Sequence, residues 1–139
     1  MSTVLIIEDN INDLMWYRPL FSAGLDVSFL FNNKDESYTK EEFIELTETI
    51  HEDLFSQLKK KFFCTPENIE SFLKDNLFDF YIIDSLRGEA EPVILNLNLP
   101  KEKVAILSST TSFREIMQSH GYKAYKKTEM ENLIKECIL

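Results

Sequence analysis

Short, unbroken runs of apolar residues, alternating with helical patterns, constrain the fold of this 139-residue chain more than any other feature. Residues 3–7 (TVLII), 78–83 (FDFYII) and 104–107 (VAIL) are rich in β-branched and aromatic residues, which is typical of strands buried on both faces of a parallel sheet. Residues 25–31 and, more weakly, 123–127 predict two further strands. The sequence therefore predicts an α/β fold: a doubly wound, five-stranded parallel sheet with helices on both faces.

The segment between the second and third predicted strands is longer than one crossover helix needs. Thr39 and Glu42 form a capping box, which predicts a helix start. Apolar residues at spacings of three and four then continue for about six turns: Phe43, Leu46, Ile50, Leu54, Leu58 and Phe62. We expect one domain over residues 1–139 with an enlarged helical insertion at about 38–76. The long helix either packs on the sheet or provides a dimerisation or partner-docking surface.

Two further patterns predict helix boundaries. Pro19 lacks a backbone donor and should kink or delay the helix after the first strand. A second capping box, formed by Thr128 and Glu131, predicts the start of the last helix.

Composition excludes several classes of protein. The formal net charge of −9 disfavours direct nucleic-acid binding, which normally needs a basic face. No apolar run approaches the ~18 residues of a membrane span, and the N-terminus lacks the pattern of a signal peptide. Cys64 and Cys137 have no metal-binding or redox spacing and are expected to stay reduced. We therefore expect a cytoplasmic protein without membrane insertion.

Polar residues follow the predicted strands where ligands bind in such sheets, at the carboxyl ends. They are the pairs Glu8-Asp9, Ser108-Ser109 and Lys126-Lys127, together with Asp84. Clustered carboxylates repel one another unless a cation neutralises them, and Mg²⁺ prefers oxygen ligands. A carboxylate such as Asp84 can act as nucleophile on a phosphoryl group and form an acyl phosphate. This set of residues predicts phosphoryl chemistry at one edge of the sheet.

The ordered motifs VLIIEDN, FYIID, VAILSS and GYKAYKKTE resemble those of response-regulator receiver domains, which have a flavodoxin-like fold. The resemblance implies that Asp84 is the phosphoacceptor and that Asp9 and Asp84 ligate Mg²⁺ directly. Glu8 would act mainly through water, and the carbonyl of Leu86 would also reach the metal. Ser108 would hydrogen-bond a phosphoryl oxygen, and a lysine would pair with the phosphoryl group.

Two residues compete for the role of that lysine. Side chains alternate along a strand, so only one of Lys126 and Lys127 can point into the site. We expect Lys127, because Thr128 follows it and starts the predicted last helix, as the family's order requires. Lys126 is the alternative.

The resemblance implies that the chain is a stand-alone phosphoprotein of a two-component phosphorelay. It also implies that the chain is not an enzyme, except that it could catalyse its own phosphorylation and dephosphorylation. A histidine kinase or phosphotransfer protein would supply the phosphoryl group, and a downstream partner or a homodimer would transmit the signal. One alternative is a degenerate receiver that acts as a phosphorylation-independent protein-interaction module. A small Mg²⁺-dependent phosphohydrolase is a third reading.

Overall fold

The computed structural model describes residues 2–139, apart from the side chain of Arg87. Its sheet has six parallel strands in the order β3-β2-β1-β4-β5-β6. The strands are β1 (Thr3–Glu8), β2 (Asp26–Asn32), β3 (Lys61–Cys64), β4 (Phe80–Asp84), β5 (Val104–Leu107) and β6 (Lys123–Tyr125). The predicted α/β, doubly wound, flavodoxin-like architecture is confirmed, with one strand more than the five expected.

Seven α-helices lie in the described residues: α1 (Arg18–Ser22), α2 (Lys40–Thr49), α3 (Glu52–Phe55), α4 (Ile69–Asp75), α5 (Ala90–Leu97), α6 (Thr111–Ser119) and α7 (Met130–Leu133). Short 3-10 helices span Ile11–Tyr17, Pro66–Asn68, Leu86–Gly88, Lys101–Lys103 and Lys127–Glu129, and a π-helical turn spans Ile134–Ile138. None of these helices is long and apolar enough to cross a membrane.

The core forms two layers, one on each face of the sheet. Because side chains alternate along a strand, Val4 and Ile6 pack into the layer beneath α1, α2, α3 and α7. Leu5 and Ile7 pack into the opposite layer, beneath α4, α5 and α6. All four side chains are buried, which explains why β1 reads as an unbroken apolar run.

The prediction of one long helix from Thr39 is wrong. Its start is as expected, because the Thr39 hydroxyl accepts the Glu42 N–H at 3.1 Å and the Glu42 carboxylate accepts the Thr39 N–H at 3.0 Å. The helix ends at Thr49, and His51 adopts a left-handed backbone with φ of 51°. After the short α3, Lys61–Cys64 pairs with β2 as a sixth strand. Residues 38–76 thus contain three α-helices, a 3-10 helix and a strand, and the projecting six-turn docking surface does not exist.

Two other helix boundaries differ in detail from the sequence patterns. Pro19 lies in the first turn of α1, and a 3-10 helix precedes it, which agrees with the expected delay. The last helical segment begins at Lys127, where the Glu129 carboxylate accepts the Lys126 N–H at 2.8 Å. The capping box predicted at Thr128 and Glu131 is therefore wrong by two residues.

The strand order reverses between β1 and β4. From β1 the chain proceeds outward to β2 and β3, and from β4 it proceeds outward to β5 and β6 on the other side. Ile7 of β1 pairs with Ile83 of β4, so Glu8 and Asp84 end neighbouring strands at the same level. Such a switch point is where open α/β sheets place their ligands.

Candidate functional site

The polar residues predicted at the strand ends meet at the switch point. Glu8 is 0% exposed, Asp84 6% and Ser108 1%, so three polar side chains are buried at one edge of the sheet. Buried ionisable groups need compensating partners, because desolvation of a charge is costly. Lys127 supplies the positive charge from the start of the 3-10 helix that follows β6.

The Lys127 ammonium lies among three carboxylates. Its Nζ is 2.6 Å from Glu8 Oε1, 2.8 Å from Asp13 Oδ2 and 2.9 Å from Asp84 Oδ1. Burial lowers the pKa of Lys127, but the charges of Glu8 and Asp84 outweigh burial and hold it above its usual value. Lys126 is exposed. The structure thus places Lys127 in the site, although β6 ends at Tyr125 and strand alternation is not the reason.

Glu8 is held on both carboxylate oxygens. Oε1 accepts from the hydroxyl of the fully buried Tyr17 at 3.2 Å as well as from Lys127, and Oε2 accepts the Asp9 N–H at 3.0 Å. Burial raises the pKa of Glu8 well above its ordinary value, the charge of Asp84 raises it further, and Lys127 opposes both.

Asp84 is positioned by the backbone that follows it. Its Oδ2 accepts the Leu86 N–H at 2.9 Å, and Leu86 adopts a left-handed backbone with φ of 51°. That conformation is unfavourable for a leucine, and such strain concentrates at functional sites. The Leu86 carbonyl instead accepts the Glu89 N–H at 3.1 Å. Leu86 therefore contributes its amide to the site.

Asp9 completes an acidic cluster with Glu8 and Asp84. One carboxylate oxygen from each lies within 4.8 Å of the others, a spacing that could hold a metal ion. Burial, then the charge of Asp84, raises the pKa of the Asp9 carboxyl. The Lys127 ammonium already provides a cation to Glu8 and Asp84.

Ser108 lies one residue beyond Leu107, whose register partner on β4 is Asp84. Its hydroxyl oxygen accepts the Thr110 N–H at 3.1 Å, and its carbonyl accepts from Arg114 at 2.7 Å. These contacts fix the turn between β5 and α6, with the hydroxyl at the same sheet edge as Asp84.

The sequence analysis missed Asp13 and Tyr17. Both lie in the 3-10 helix Ile11–Tyr17, which repeats every three residues. Ile11, Leu14 and Tyr17 accordingly form its buried line, which brings the Tyr17 hydroxyl to Glu8. A polar hydroxyl on an otherwise apolar, three-residue repeat was the signal that could have identified Tyr17.

Three chains among the solved structures match this protein. No family model and no curated protein matches the chain. A solved structure that matches is the dodecameric FMN-dependent UbiX-like decarboxylase from Escherichia coli O157:H7, with a TM-score of 0.45 and 12% sequence identity. The match covers 89% of this chain and 79% of the decarboxylase chain. At that distance it gives no ground for assigning FMN or decarboxylation to this chain.

These comparisons correct the sequence analysis on family and cofactor. The assignment to response-regulator receiver domains, and with it to a two-component phosphorelay, is corrected: no family model matches the chain, and a solved structure that does match is a UbiX-like decarboxylase. The prediction of Mg²⁺ as cofactor is withdrawn as well: the Lys127 ammonium already pairs with Glu8 and Asp84, and the protein matched is FMN-dependent. We assign no ion to the acidic cluster.

The raised pKa of Glu8 predicts a pH-dependent stability. A carboxyl that binds its proton more tightly in the folded state stabilises the fold most below its unfolded-state pKa, which is near 4.5. That stability is lost as the pH rises from there towards the folded-state pKa, by about 1.4 kcal/mol per unit of difference. Glu8→Gln should lack this loss, so the wild-type free energy of unfolding should fall relative to the variant as pH increases.

Urea unfolding of wild type and Glu8→Gln between acidic and neutral pH measures this difference. The side-chain nitrogen of glutamine cannot accept the Asp9 N–H as Glu8 Oε2 does. This change alters the stability of the variant by the same amount at every pH, so it does not affect how stability varies with pH. Glu131→Gln, at an exposed position, is the control. Parallel curves for wild type and Glu8→Gln would contradict the raised pKa.

Proposed function

We propose, from the contacts of the site and without a family assignment, that this is a signalling protein whose Asp84 carboxylate accepts a phosphoryl group. The observation that carries the proposal is the position of that carboxylate, which ends β4 between the Leu86 N–H and the Lys127 ammonium, each at 2.9 Å. The carboxylate is thereby oriented, and a positive charge lies beside it.

The chemistry is nucleophilic attack by a carboxylate. An Asp84 oxygen forms a bond to phosphorus while the bond from phosphorus to the leaving group breaks, and the leaving group departs with the electron pair. Charge neutralisation and positioning are what phosphoryl transfer chiefly requires. Lys127 would supply the charge, and the Ser108 hydroxyl would donate to a phosphoryl oxygen. The product is an acyl phosphate that remains on the protein, so the chain acts as an acceptor and not as a turnover enzyme.

The shared lysine suggests how the phosphoryl group would alter a surface. Lys127 also bonds Asp13, which lies on the 3-10 helix after β1. A phosphoryl group on Asp84 would compete for the ammonium, because added negative charge strengthens hydrogen bonds from a cation. Asp13 would lose its partner, and the surface around the 3-10 helix would change for a downstream partner protein.

The proposed setting follows from this role. The donor would be a kinase or phosphotransfer protein, and the output would pass through a protein partner or a homodimer. We propose a cytoplasmic location, which suits two cysteines that are both free thiols.

Incubation with acetyl phosphate, read by intact mass, tests the acceptor role. We expect wild type to gain the mass of one phosphoryl group and Asp84→Asn to gain none, because an amide cannot form the acyl phosphate. The incubations are run with and without divalent salts, so the result does not depend on an assumed cation. Equal labelling of Asp84→Asn, or labelling of neither protein under any condition, would contradict the proposal.

The closed ion-pair network favours a second candidate. Glu8, Asp13 and Asp84 are all bonded to Lys127, so the site is internally satisfied and can serve to fix the sheet edge. On this reading the chain is a protein-interaction module that works without phosphorylation. Absence of labelling, combined with strong destabilisation on loss of Lys127, would favour it.

A further inference from the structure

A cavity of about 390 Å³ opens beside the acceptor site, between the 3-10 helix Ile11–Tyr17 and the start of α6. Its size lies within the range of small-molecule sites, which is roughly 300–1,000 Å³. Lys127 forms part of its wall and is also 2.9 Å from Asp84 Oδ1. Asp84 itself does not line the cavity, so Lys127 is the residue that connects a molecule bound there with the carboxylate.

The wall of the cavity is cationic, in contrast to the rest of the chain. The chain carries a net charge of −9, yet Arg114, Lys126 and Lys127 face one carboxylate, Asp13. Asp13 is itself 2.8 Å from Lys127, and Lys127 also pairs with the buried acidic residues. Arg114 and Lys126 are left to bind an anion by direct, charge-assisted hydrogen bonds.

Arg114 is held in place with donors to spare. Its guanidinium donates to the Ser108 carbonyl at 2.7 Å and to the Thr111 hydroxyl at 3.1 Å. These two bonds use only part of the donor set of a guanidinium, whose planar fork matches the oxygens of a phosphate. An arginine that is already fixed loses little conformational entropy when it binds.

The remaining wall fits a small phosphorylated compound. Ser109, Thr111 and Thr128 line the cavity, and a hydroxyl is a group that can donate to phosphate oxygens. Trp16 also lines it, and an indole ring offers apolar surface to the uncharged part of such a compound.

We infer that this cavity binds the phosphate group of a small-molecule phosphodonor, with Arg114 as the main contact and Lys126 as a second cation. The inference rests on the proposed acceptor role of Asp84 and adds to it a binding site for the donor. Anchoring the donor in a cavity that shares Lys127 with Asp84 converts a bimolecular reaction into one within a complex, which accelerates transfer.

Binding is tested first with inorganic phosphate, followed by the fluorescence of Trp16, the single tryptophan of the chain. Phosphate should change the emission saturably, and Asp84→Asn should not weaken binding, because it removes a negative charge that pairs with Lys127 of the cavity wall. Arg114→Gln should weaken binding by about tenfold or more, as expected for loss of hydrogen bonds between charged groups. Lys126→Gln should weaken it less, and Lys123→Gln, which removes the same charge at an exposed site outside the cavity, should not.

The rate of labelling by acetyl phosphate is the second measurement. At donor concentrations below saturation, Arg114→Gln and Lys126→Gln should be labelled more slowly than wild type, and Lys123→Gln at the wild-type rate. Lys126 is exposed, so its substitution leaves the core and the Ser108 turn intact even where loss of Arg114 disturbs them.

The outcomes separate this site from the acceptor role. Saturable phosphate binding that Arg114→Gln and Lys126→Gln weaken, without any labelling of wild type, would support the site and contradict the acceptor role. No effect of phosphate on Trp16, or equal affinity in all variants, would overturn the site. Equal binding of acetate would also overturn it, because the cavity would then take any anion.

Discussion

Lys127→Met is expected to lower the free energy of unfolding at neutral pH by about 3–5 kcal/mol, as measured when one partner of a buried ion pair is removed. The ammonium is the cation shared by Glu8, Asp13 and Asp84, and the Lys127 side chain is only 11% exposed. Methionine keeps much of the apolar stem of lysine, so most of the loss reflects the charge. Against a typical total stability of about 5–15 kcal/mol, the effect is large.

The loss should diminish in acid. Burial and the charge of Asp84 already favour the protonated form of Glu8, and removal of Lys127 takes away the main opposing influence. As the pH falls, protonation of Glu8 removes one of the unpaired charges, and the variant should approach the wild type.

Urea unfolding at several pH values measures both effects, with Lys126→Met as the matched control. Lys126 is the exposed neighbour, and its substitution should change stability by no more than about 0.5 kcal/mol. If the two variants unfold at the same urea concentration, Lys127 does not neutralise the cluster. That result would also remove the observation that favours the interaction-module candidate.

The location of the site was predictable from the sequence, because it depends on strand order and little else. Unbroken apolar runs identify β1, β4 and β5, and a parallel sheet brings their carboxyl ends to one edge. The residues directly after each run, Glu8, Asp84 and Ser108, had to lie there. The sequence also favours Lys127 over Lys126 as the lysine of the site. Its position depends on the helix start after β6 and not on strand alternation.

The contacts within the site were less predictable, because they depend on local backbone geometry. The 3-10 form of Ile11–Tyr17 decides that Tyr17 and Asp13 reach Glu8 and Lys127, and an α-helix would have placed them differently. The left-handed backbone of Leu86 directs its amide to Asp84. Leucine does not favour that conformation, so no local propensity indicated it.

The sixth strand was missed because its sequence also fits a helix. Leu54, Leu58 and Phe62 continue the helical spacing that starts at Phe43, and periodicity alone cannot show where such a pattern stops. Tertiary packing decides it. Pairing with β2 places Phe63 beside Phe31, and the centroids of the two rings are 5.9 Å apart.

Phe31→Ala should therefore be strongly destabilising, with a loss of about 3–5 kcal/mol in the free energy of unfolding. Phe31 is 2% exposed and stacks on Phe43 of α2, with 5.2 Å between the ring centroids. The centroids of Phe63 of β3 and of Tyr38 each lie 5.9 Å from that of Phe31. Its ring thus connects α2 and the edge strand to the sheet. Removal of the ring leaves a cavity among these partners and forfeits their contacts.

The consequence should be local as well as global, because the Phe31 ring contacts both Phe43 of α2 and Phe63 of β3. Amide hydrogen exchange should accelerate in α2 and β3 more than in β1, β4 or β5, which are central strands with a partner on each side. Phe78→Ala is the control, since Phe78 is only half-buried and its ring contact is with Tyr81. A uniform increase in exchange, or a loss no greater than that of Phe78→Ala, would show that the aromatic cluster is not what holds residues 61–64 in the sheet.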